Sequence, residues 1–216
     1  MTKLGEFRFT PDAFRTQLRD FRAWLSEHED LYEATDIIPF LKQREQLAAA
    51  FSFCTTEVIV PDRIAFEFDL FGMFRCDLVI GDSARGTFLF IEFEDGRLDS
   101  IFKASGGRAT RQWSDRFEHG YSQVIDWFWR LRTASAPDLQ AQFGCVPSSY
   151  AGMLLIGRDK GLADETESAR LDWRRNHVLV ESRKVLCRTF DEMAADIEDR
   201  FGIRAQLALT EGGEAN

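Results

Sequence analysis

Three short apolar segments between residues 63 and 94 limit the fold most strongly. In residues 64–70, apolar side chains alternate with other residues, which is the period-two pattern of a β-strand. Residues 74–80 and 87–94 form two further apolar segments, and only short turn-forming stretches separate the three. Because short connections join antiparallel neighbours, the region predicts a three-stranded β-meander.

Helical periodicity replaces this pattern on both sides of the meander. Phe14, Leu18, Phe21 and Leu25 recur at spacings of four and three residues, as on the buried face of an amphipathic helix. A second stripe of this kind predicts a long helix that begins near Trp113. The other predicted elements are a loop over 97–111, a buried strand over 151–156, a solvated helix over 164–175, short strands at 178–180 and 185–187, and a capping box at Thr189 and Glu192 before a last helix.

This order of elements predicts a mixed α/β (α+β) fold, in which helices flank a central mixed sheet. We interpret residues 1–53 as a helical N-terminal layer and residues 54–205 as the core. The last residues, Glu211 to Asn216, are typical of a frayed terminus, and we interpret residues 206–216 as a flexible tail.

Composition narrows the class of protein. A hydrophobic fraction of 44% excludes general disorder, and the net charge of −9 argues against a uniformly basic nucleic-acid binder. Residues 97–132 are nevertheless locally basic, which suits a polyanion, although a merely solvated loop and helix has the same composition. No apolar run reaches the ~20 residues of a membrane span, so we expect no membrane partner and a cytoplasmic protein. The four cysteines form no CxxC pair, which excludes zinc-ribbon spacing.

Three carboxylates gather at the ends of the predicted strands. Glu92 and Glu94 share one face of their strand about 7 Å apart, and Asp77 on the preceding strand approaches Glu92 if the two strands pair. Such a cluster is costly unless a divalent cation such as Mg²⁺ or Mn²⁺ offsets the repulsion between charges. The alternative is that the strand leaves the core at Glu92 and that these acids are solvated.

These residues resemble a known signature. Asp77, followed on the next strand by Ile91-Glu92-Phe93-Glu94, is similar to the motif of PD-(D/E)XK nucleases, and Gln123 to Trp127 resembles their Q-x-x-x-Y element with tryptophan in place of tyrosine. Within that superfamily the chain most resembles the Shedu anti-phage defence proteins. The segments that carry this resemblance are 71–80, the Gln123 helix, 154–158 and 189–193.

The resemblance implies a restriction-endonuclease-like core and a DNA endonuclease that depends on Mg²⁺ or Mn²⁺. It implies Asp77, Glu92 and Glu94 as metal ligands and, together with Gln123, as catalytic residues. Glu94 departs from the motif, because lysine normally occupies its position.

A basic residue from the neighbouring loop is one replacement for that lysine. Arg97, Lys103 and Arg111 are the candidates, and together with Arg108 they are our predicted nucleic-acid-binding residues.

Two alternatives to a nuclease stay open. The first is a nuclease-derived module that binds or assembles without catalysis, and the second is a structural or regulatory protein. Trp113, Trp127 and Trp129 on the long predicted helix would suit a homo-oligomer interface in the second case.

Overall fold

The computed structural model describes residues 3–104, 106–107 and 110–213, with residues 204–213 as backbone only. Seven strands form one mixed sheet in the order β1-β2-β3-β4-β7-β9-β8. The sheet strands are β1 (Gly5–Glu6), β2 (Arg63–Leu70), β3 (Phe74–Asp82), β4 (Thr87–Phe93), β7 (Ser149–Leu155), β8 (Leu179–Val180) and β9 (Arg183–Arg188), while β5 (Phe102–Lys103) and β6 (Gln112–Trp113) form a separate hairpin.

In the part of the chain that the structure describes, seven α-helices accompany the sheet. They are α1 (Pro11–Glu27), α2 (Ile38–Lys42), α3 (Glu45–Ala50), α4 (Asp115–Thr133), α5 (Ala136–Phe143), α6 (Glu165–His177) and α7 (Phe190–Gly213), with a π-helical turn at Glu33–Ile37 and 3₁₀ turns at Phe51–Cys54 and Asp159–Gly161. In the described part of the chain, no helix combines the length and the apolar composition that a membrane crossing needs.

The sheet combines the predicted meander with a parallel half. Strands β2, β3 and β4 pair antiparallel in sequence order, which confirms the meander. Strand β7 then pairs parallel to β4, and β9 pairs parallel to β7. Helices α4 and α5 lie between β4 and β7 in the chain, because a parallel neighbour requires a crossover connection.

Each face of the sheet carries its own core. The first core packs α1, α2, α3 and α7 on one face, around Leu78, Ile91 and Phe93. The second core packs α4, α5 and α6 on the other face, around Phe90 and Leu154. The mixed α/β class with helices on both sides of a central sheet is therefore confirmed.

The predicted loop over residues 97–111 contains structure that its composition did not indicate. Phe102 and Lys103 pair with Trp113 and Gln112, so Trp113 belongs to a hairpin and not to the long helix. Helix α4 begins later because the Ser114 hydroxyl caps it, accepting a hydrogen bond from the Phe117 amide at 2.9 Å.

Strand β2 changes face at Glu67. Ile64 and Phe66 pack in the first core, whereas Phe68 and Leu70 pack in the second. Strict alternation would place all four side chains on one face. Glu67 has a φ of 48°, a left-handed conformation that is uncommon for a residue other than glycine, and this shifts the alternation by one residue.

Candidate active site

Asp77 lies on β3 opposite the point where β2 changes face. The register pairs Phe66 with Leu78 and Phe68 with Cys76, which leaves Asp77 across from Glu67. The last β3–β4 pair is Leu78 with Ile91. The two strands therefore separate at the next residue of each, which is Asp77 on β3 and Glu92 on β4. The Asp77 carboxylate takes the place of a backbone partner there, because its Oδ2 accepts a hydrogen bond from the Phe93 amide at 2.8 Å.

The carboxyl groups of Asp77 and Glu92 are buried side by side. Asp77 is 9% exposed and Glu92 is 5% exposed, and the two carboxyl groups interact directly. One Glu92 oxygen accepts a hydrogen bond from Gln123 Nε2, whereas the other, Oε2, is buried and receives no donor from the described residues. Asp77 therefore approaches Glu92 as predicted, and Gln123 of the Q-x-x-x-Y-like element contacts the same glutamate. We call β4, together with Glu94 and Asp95 that follow it, the acidic strand.

Burial sets the protonation of this pair. Desolvation raises the pKa of Glu92 far above its usual range, and the negative charges of Asp77, Glu33 and Glu94 raise it further. Desolvation also raises the pKa of Asp77, although the hydrogen bond from the Phe93 amide opposes this. The pair therefore binds a proton at neutral pH that two separate, exposed carboxyl groups would have lost.

Helix α4 presents a polar face to the acidic strand. Arg116 and His119 both contact Glu94: Arg116 Nη1 lies 3.1 Å from Oε2, and His119 Nδ1 lies 3.1 Å from Oε1. Arg116 Nη2 also lies 2.9 Å from Asp95 Oδ2. Gln123, one turn beyond His119, completes the face. Both oxygens of Glu94 therefore have cationic or hydrogen-bonding partners from the protein.

A glycine permits this close approach. A Cβ atom at Gly120 would lie 2.7 Å from Leu154 Cδ1 and 3.0 Å from Glu94 Cγ, which is closer than packed side chains allow. Because Gly120 has no side chain, α4 lies directly against β4 and β7. The distances between the helix residues and the strand acids depend on this contact.

The N-terminal segment contributes a further acid that the sequence did not indicate. The Glu33 amide donates a 2.9 Å hydrogen bond to Asp95 Oδ1, which fixes the π-helical turn beside the acidic strand. Burial, followed by the charges of Asp77, Glu94 and Asp95, raises the pKa of Glu33 to about 7. Glu33 lies more than 40 residues before Asp77 in the chain, so no local spacing could have pointed to it.

The predicted loop cations have other partners. Arg111 pairs with the buried Glu167 and donates to the Gly161 carbonyl, Lys103 pairs with Asp115 at 2.6 Å, and Arg97 lies 3.6 Å from Asp99. Arg108 lies outside the described residues.

The cation that contacts the acidic strand is instead Arg116. The sequence signal for it was the spacing of Arg116, His119 and Gln123, which places all three on one helical face.

The donor set suits a hard divalent cation only in part. Among the described residues, no three His, Cys, Asp or Glu side chains are arranged as a ready set of metal ligands. Mg²⁺ does not require such a set, because it usually keeps several waters and binds through one or two carboxylates. The buried Glu92 Oε2 without a donor and the adjacent Asp77 carboxyl are oxygen ligands of the kind it uses.

Comparison with known families assigns the chain. The family model described as "Shedu protein SduA, C-terminal" matches residues 30–194. The chain belongs to the Shedu family. No curated protein matches it.

The matched range includes the segment after β7 and the segment that begins α7, and the structure shows how these two segments bind each other. In this Shedu chain, Arg158 after β7 forms a bidentate ion pair with Asp191 at the start of α7, with both distances 2.8 Å. Thr189 and Glu192 exchange hydrogen bonds of 3.0 Å, which confirms the predicted capping box. These two segments position α7 on the sheet.

The three tryptophans that were candidates for an oligomer interface have different environments in the structure. Trp127 is fully buried in the second core, so its role is packing. Trp113 stacks between Phe102 and Phe117, and Trp129 is 52% exposed.

Proposed function

We propose that this Shedu chain is a metal-dependent nuclease that hydrolyses phosphodiester bonds in DNA as part of anti-phage defence. The observation that carries the proposal is the buried Asp77–Glu92 pair, in which one oxygen of Glu92 lacks a donor. An acid in this state is costly to bury and is relieved by a cation. The defence role rests on family membership.

The topology supports a PD-(D/E)XK-like core. An antiparallel meander provides the acids at the ends of β3 and β4, and a crossover through α4 leads to a parallel neighbour, β7. This arrangement brings a residue of α4, Gln123, to the second acid of the motif, Glu92. Fold alone does not establish activity, so the argument for catalysis depends on the site.

Asp77 and Glu92 would hold Mg²⁺ or Mn²⁺, which when bound supplies an activated water and stabilises negative charge at phosphate. Gln123 positions Glu92 through its hydrogen bond. The Phe93 amide positions Asp77. The protein side chains thereby fix the two carboxyl groups before DNA arrives, which lowers the cost of ordering them on binding.

Arg116 supplies the cation that lysine provides in the usual motif. Glu94 stands in the lysine position, but it draws the Arg116 guanidinium to the same place, and 46% of the Arg116 side chain remains exposed to a substrate. Guanidinium groups suit phosphate oxygens because their donors can bind two oxygens at once. Glu94 then acts by holding Arg116 and His119, and not as a third metal ligand.

Cleavage of plasmid DNA tests the proposal directly. We expect supercoiled or linear duplex DNA to be cut in Mn²⁺ or Mg²⁺ and to stay intact in EDTA. Binding of DNA without cleavage under both conditions would favour the second candidate, a nuclease-derived binding module. That candidate draws support from the complete pairing of Glu94.

Replacing Arg116 with glutamine separates its role from that of a metal ligand. We expect Arg116→Gln to slow cleavage by about a hundredfold, equivalent to ~3 kcal/mol of lost transition-state stabilisation. Affinity for Mn²⁺ should stay the same or rise, because a positive charge beside the carboxyl groups has been removed. Rates and calorimetric titration give the two quantities.

Arg132→Gln is the matched control, since Arg132 is an exposed residue of the same helix and the charge change is the same. It should leave both quantities unchanged. Wild-type cleavage by Arg116→Gln would remove Arg116 from the active site.

A further inference from the structure

A pocket lies beside α4, on the flank of the helix that faces away from the acidic strand. Its volume is about 360 Å³, and its lining residues are Trp113, Arg170, Trp173, Arg174 and Val178. The volume is within the ~300–1,000 Å³ of small-ligand sites. Apart from Val178, the lining consists of indole rings and guanidinium groups.

A row of aromatic rings supports Trp113 at the wall of this pocket. Trp113 lies 4.4 Å from Phe102 and 4.5 Å from Phe117, measured between ring centroids, and Phe117 stacks in turn on Tyr121. Phe102, Phe117 and Tyr121 are buried, whereas Trp113 is partly exposed. The rings are therefore rigid, and a flat ligand would not need to order them.

Two arginines from α6 cover the row. The Arg170 guanidinium lies 4.6 Å from the Phe102 ring and 5.4 Å from the Trp113 ring. That of Arg174 lies 4.8 Å from the Trp113 ring and 4.6 Å from the Tyr121 ring. These cation–π contacts hold both positive charges at the rim of the pocket.

Trp173 is exposed without a structural reason. It is 61% exposed on a helix that is otherwise mostly polar, and its ring stacks on His177 with an interplanar angle of 15°. The contact with His177 fixes the ring beside the pocket but does not bury it. An exposed, oriented indole next to guanidinium groups is the arrangement that binds an unpaired nucleobase.

The charges at the pocket decide which ligand fits. Arg174 is neutralised by a bidentate ion pair with Glu118, at 2.7 and 2.8 Å. Arg170 donates to the Arg111 carbonyl and has no carboxylate partner among the described residues. One uncompensated positive charge beside aromatic faces matches one phosphate attached to one base.

We propose that this pocket binds an unpaired base of single-stranded DNA, stacked on the exposed ring of Trp173, with its phosphate beside Arg170. The inference rests on the proposed function, since it takes DNA as the polyanion. Helix α4 connects the two sites: Arg116 and Gln123 face the acids, and Phe117 and Tyr121 lie under the pocket. A strand held in the pocket would thus be held against the same helix as the proposed catalytic residues.

Anisotropy of a labelled oligothymidylate in EDTA tests the pocket without catalysis. A length of about ten nucleotides falls within the ~4–16 nucleotides that single-strand sites typically cover. We expect Trp173→Ala to weaken binding at least about fivefold, as loss of a stacked base predicts, and Trp173→Phe to restore most of it. Trp129→Ala is the matched control, because Trp129 is similarly exposed but lies outside the pocket, and it should bind like the wild type.

Equal binding by wild type and Trp173→Ala, or no binding by the wild type, would overturn the inference. A change in the mass of Trp173→Ala in solution, with oligonucleotide binding unchanged, would show that a second copy of the chain covers this face, and would overturn it too. The nuclease proposal is tested separately by cleavage in Mn²⁺. Cleavage with no effect of Trp173→Ala on oligonucleotide binding would therefore remove the pocket and leave the active site.

Discussion

We expect Glu92→Gln to reduce metal-dependent DNA cleavage by about a thousandfold or more, equivalent to ~4 kcal/mol of lost transition-state stabilisation. Glutamine keeps the shape of the side chain and can still pair with Gln123, but it lacks the anionic oxygen that would bind the cation. Cleavage of plasmid DNA in Mn²⁺ measures the loss. Wild-type activity in this variant would contradict the assignment of Glu92.

The same substitution should stabilise the metal-free protein at alkaline pH. Burial raises the pKa of Glu92 in the folded state, so the folded protein holds its proton more tightly than the unfolded chain does. Stability from this group is complete below the unfolded pKa, and it is lost as the pH rises toward the higher folded pKa. The folded pKa of Glu92 is raised to about 10, so urea unfolding in EDTA should show Glu92→Gln gaining on the wild type as the pH rises from the ordinary glutamate pKa toward that value.

Asp82→Asn provides a contrasting buried acid in the same meander. Asp82 accepts hydrogen bonds from the Val60 and Arg85 amides at 3.0 and 3.1 Å, so its charge is well satisfied. Its replacement should lower stability by ~1–3 kcal/mol and leave the rate of cleavage unchanged at temperatures where the variant stays folded. Loss of activity in the folded Asp82→Asn protein would mean that any buried carboxyl of the meander affects cleavage.

We expect Arg158→Ala to lower the free energy of unfolding by about 3–5 kcal/mol. The buried guanidinium binds Asp191 and also donates to the Leu25 and His28 carbonyls at 2.7 and 2.8 Å, which lie at the C-terminal end of α1. Alanine removes the guanidinium donors of both carbonyls and leaves the Asp191 carboxylate with the Asp159 amide but without its cation. Chemical denaturation of both proteins measures the difference.

Arg22→Ala is the control for this second prediction. Arg22 pairs with Glu198, and both side chains are 48% exposed, so water solvates the partners after the pair is broken. Its loss should cost no more than about 1 kcal/mol. Similar destabilisation by Arg158→Ala and Arg22→Ala would show that Arg158 does not tie α1 and α7 to the sheet.

Local patterns in the sequence were sufficient to predict the meander and the approach of Asp77 to Glu92. Alternation and short turns give the order of β2, β3 and β4, and antiparallel pairing then brings Asp77 toward Glu92. The change of face at Glu67 could not be predicted, because a left-handed φ at glutamate has no sequence signal of the kind that glycine gives. That change is what leaves Asp77 at a break in the strand.

The sequence pointed to the loop after β4 for the cation at the site, whereas the structure places Arg116 of α4 there. Arg97, Lys103 and Arg111 are near the motif in sequence, but each has a carboxylate of its own. Arg116 reaches Glu94 only because Gly120 lets α4 lie against the sheet, and that packing is a tertiary property. The position of Glu33 beside the acidic strand also depends on a long-range contact, the hydrogen bond from its amide to Asp95.

A crystal structure with Mn²⁺ tests the central claim most directly. The anomalous signal of the metal locates it without assumptions about activity. We predict one peak bound by the carboxylates of Asp77 and Glu92, with waters as the other ligands and with Glu94 still paired with Arg116. A metal that binds elsewhere, or no metal between Asp77 and Glu92 at saturating Mn²⁺, would contradict the account.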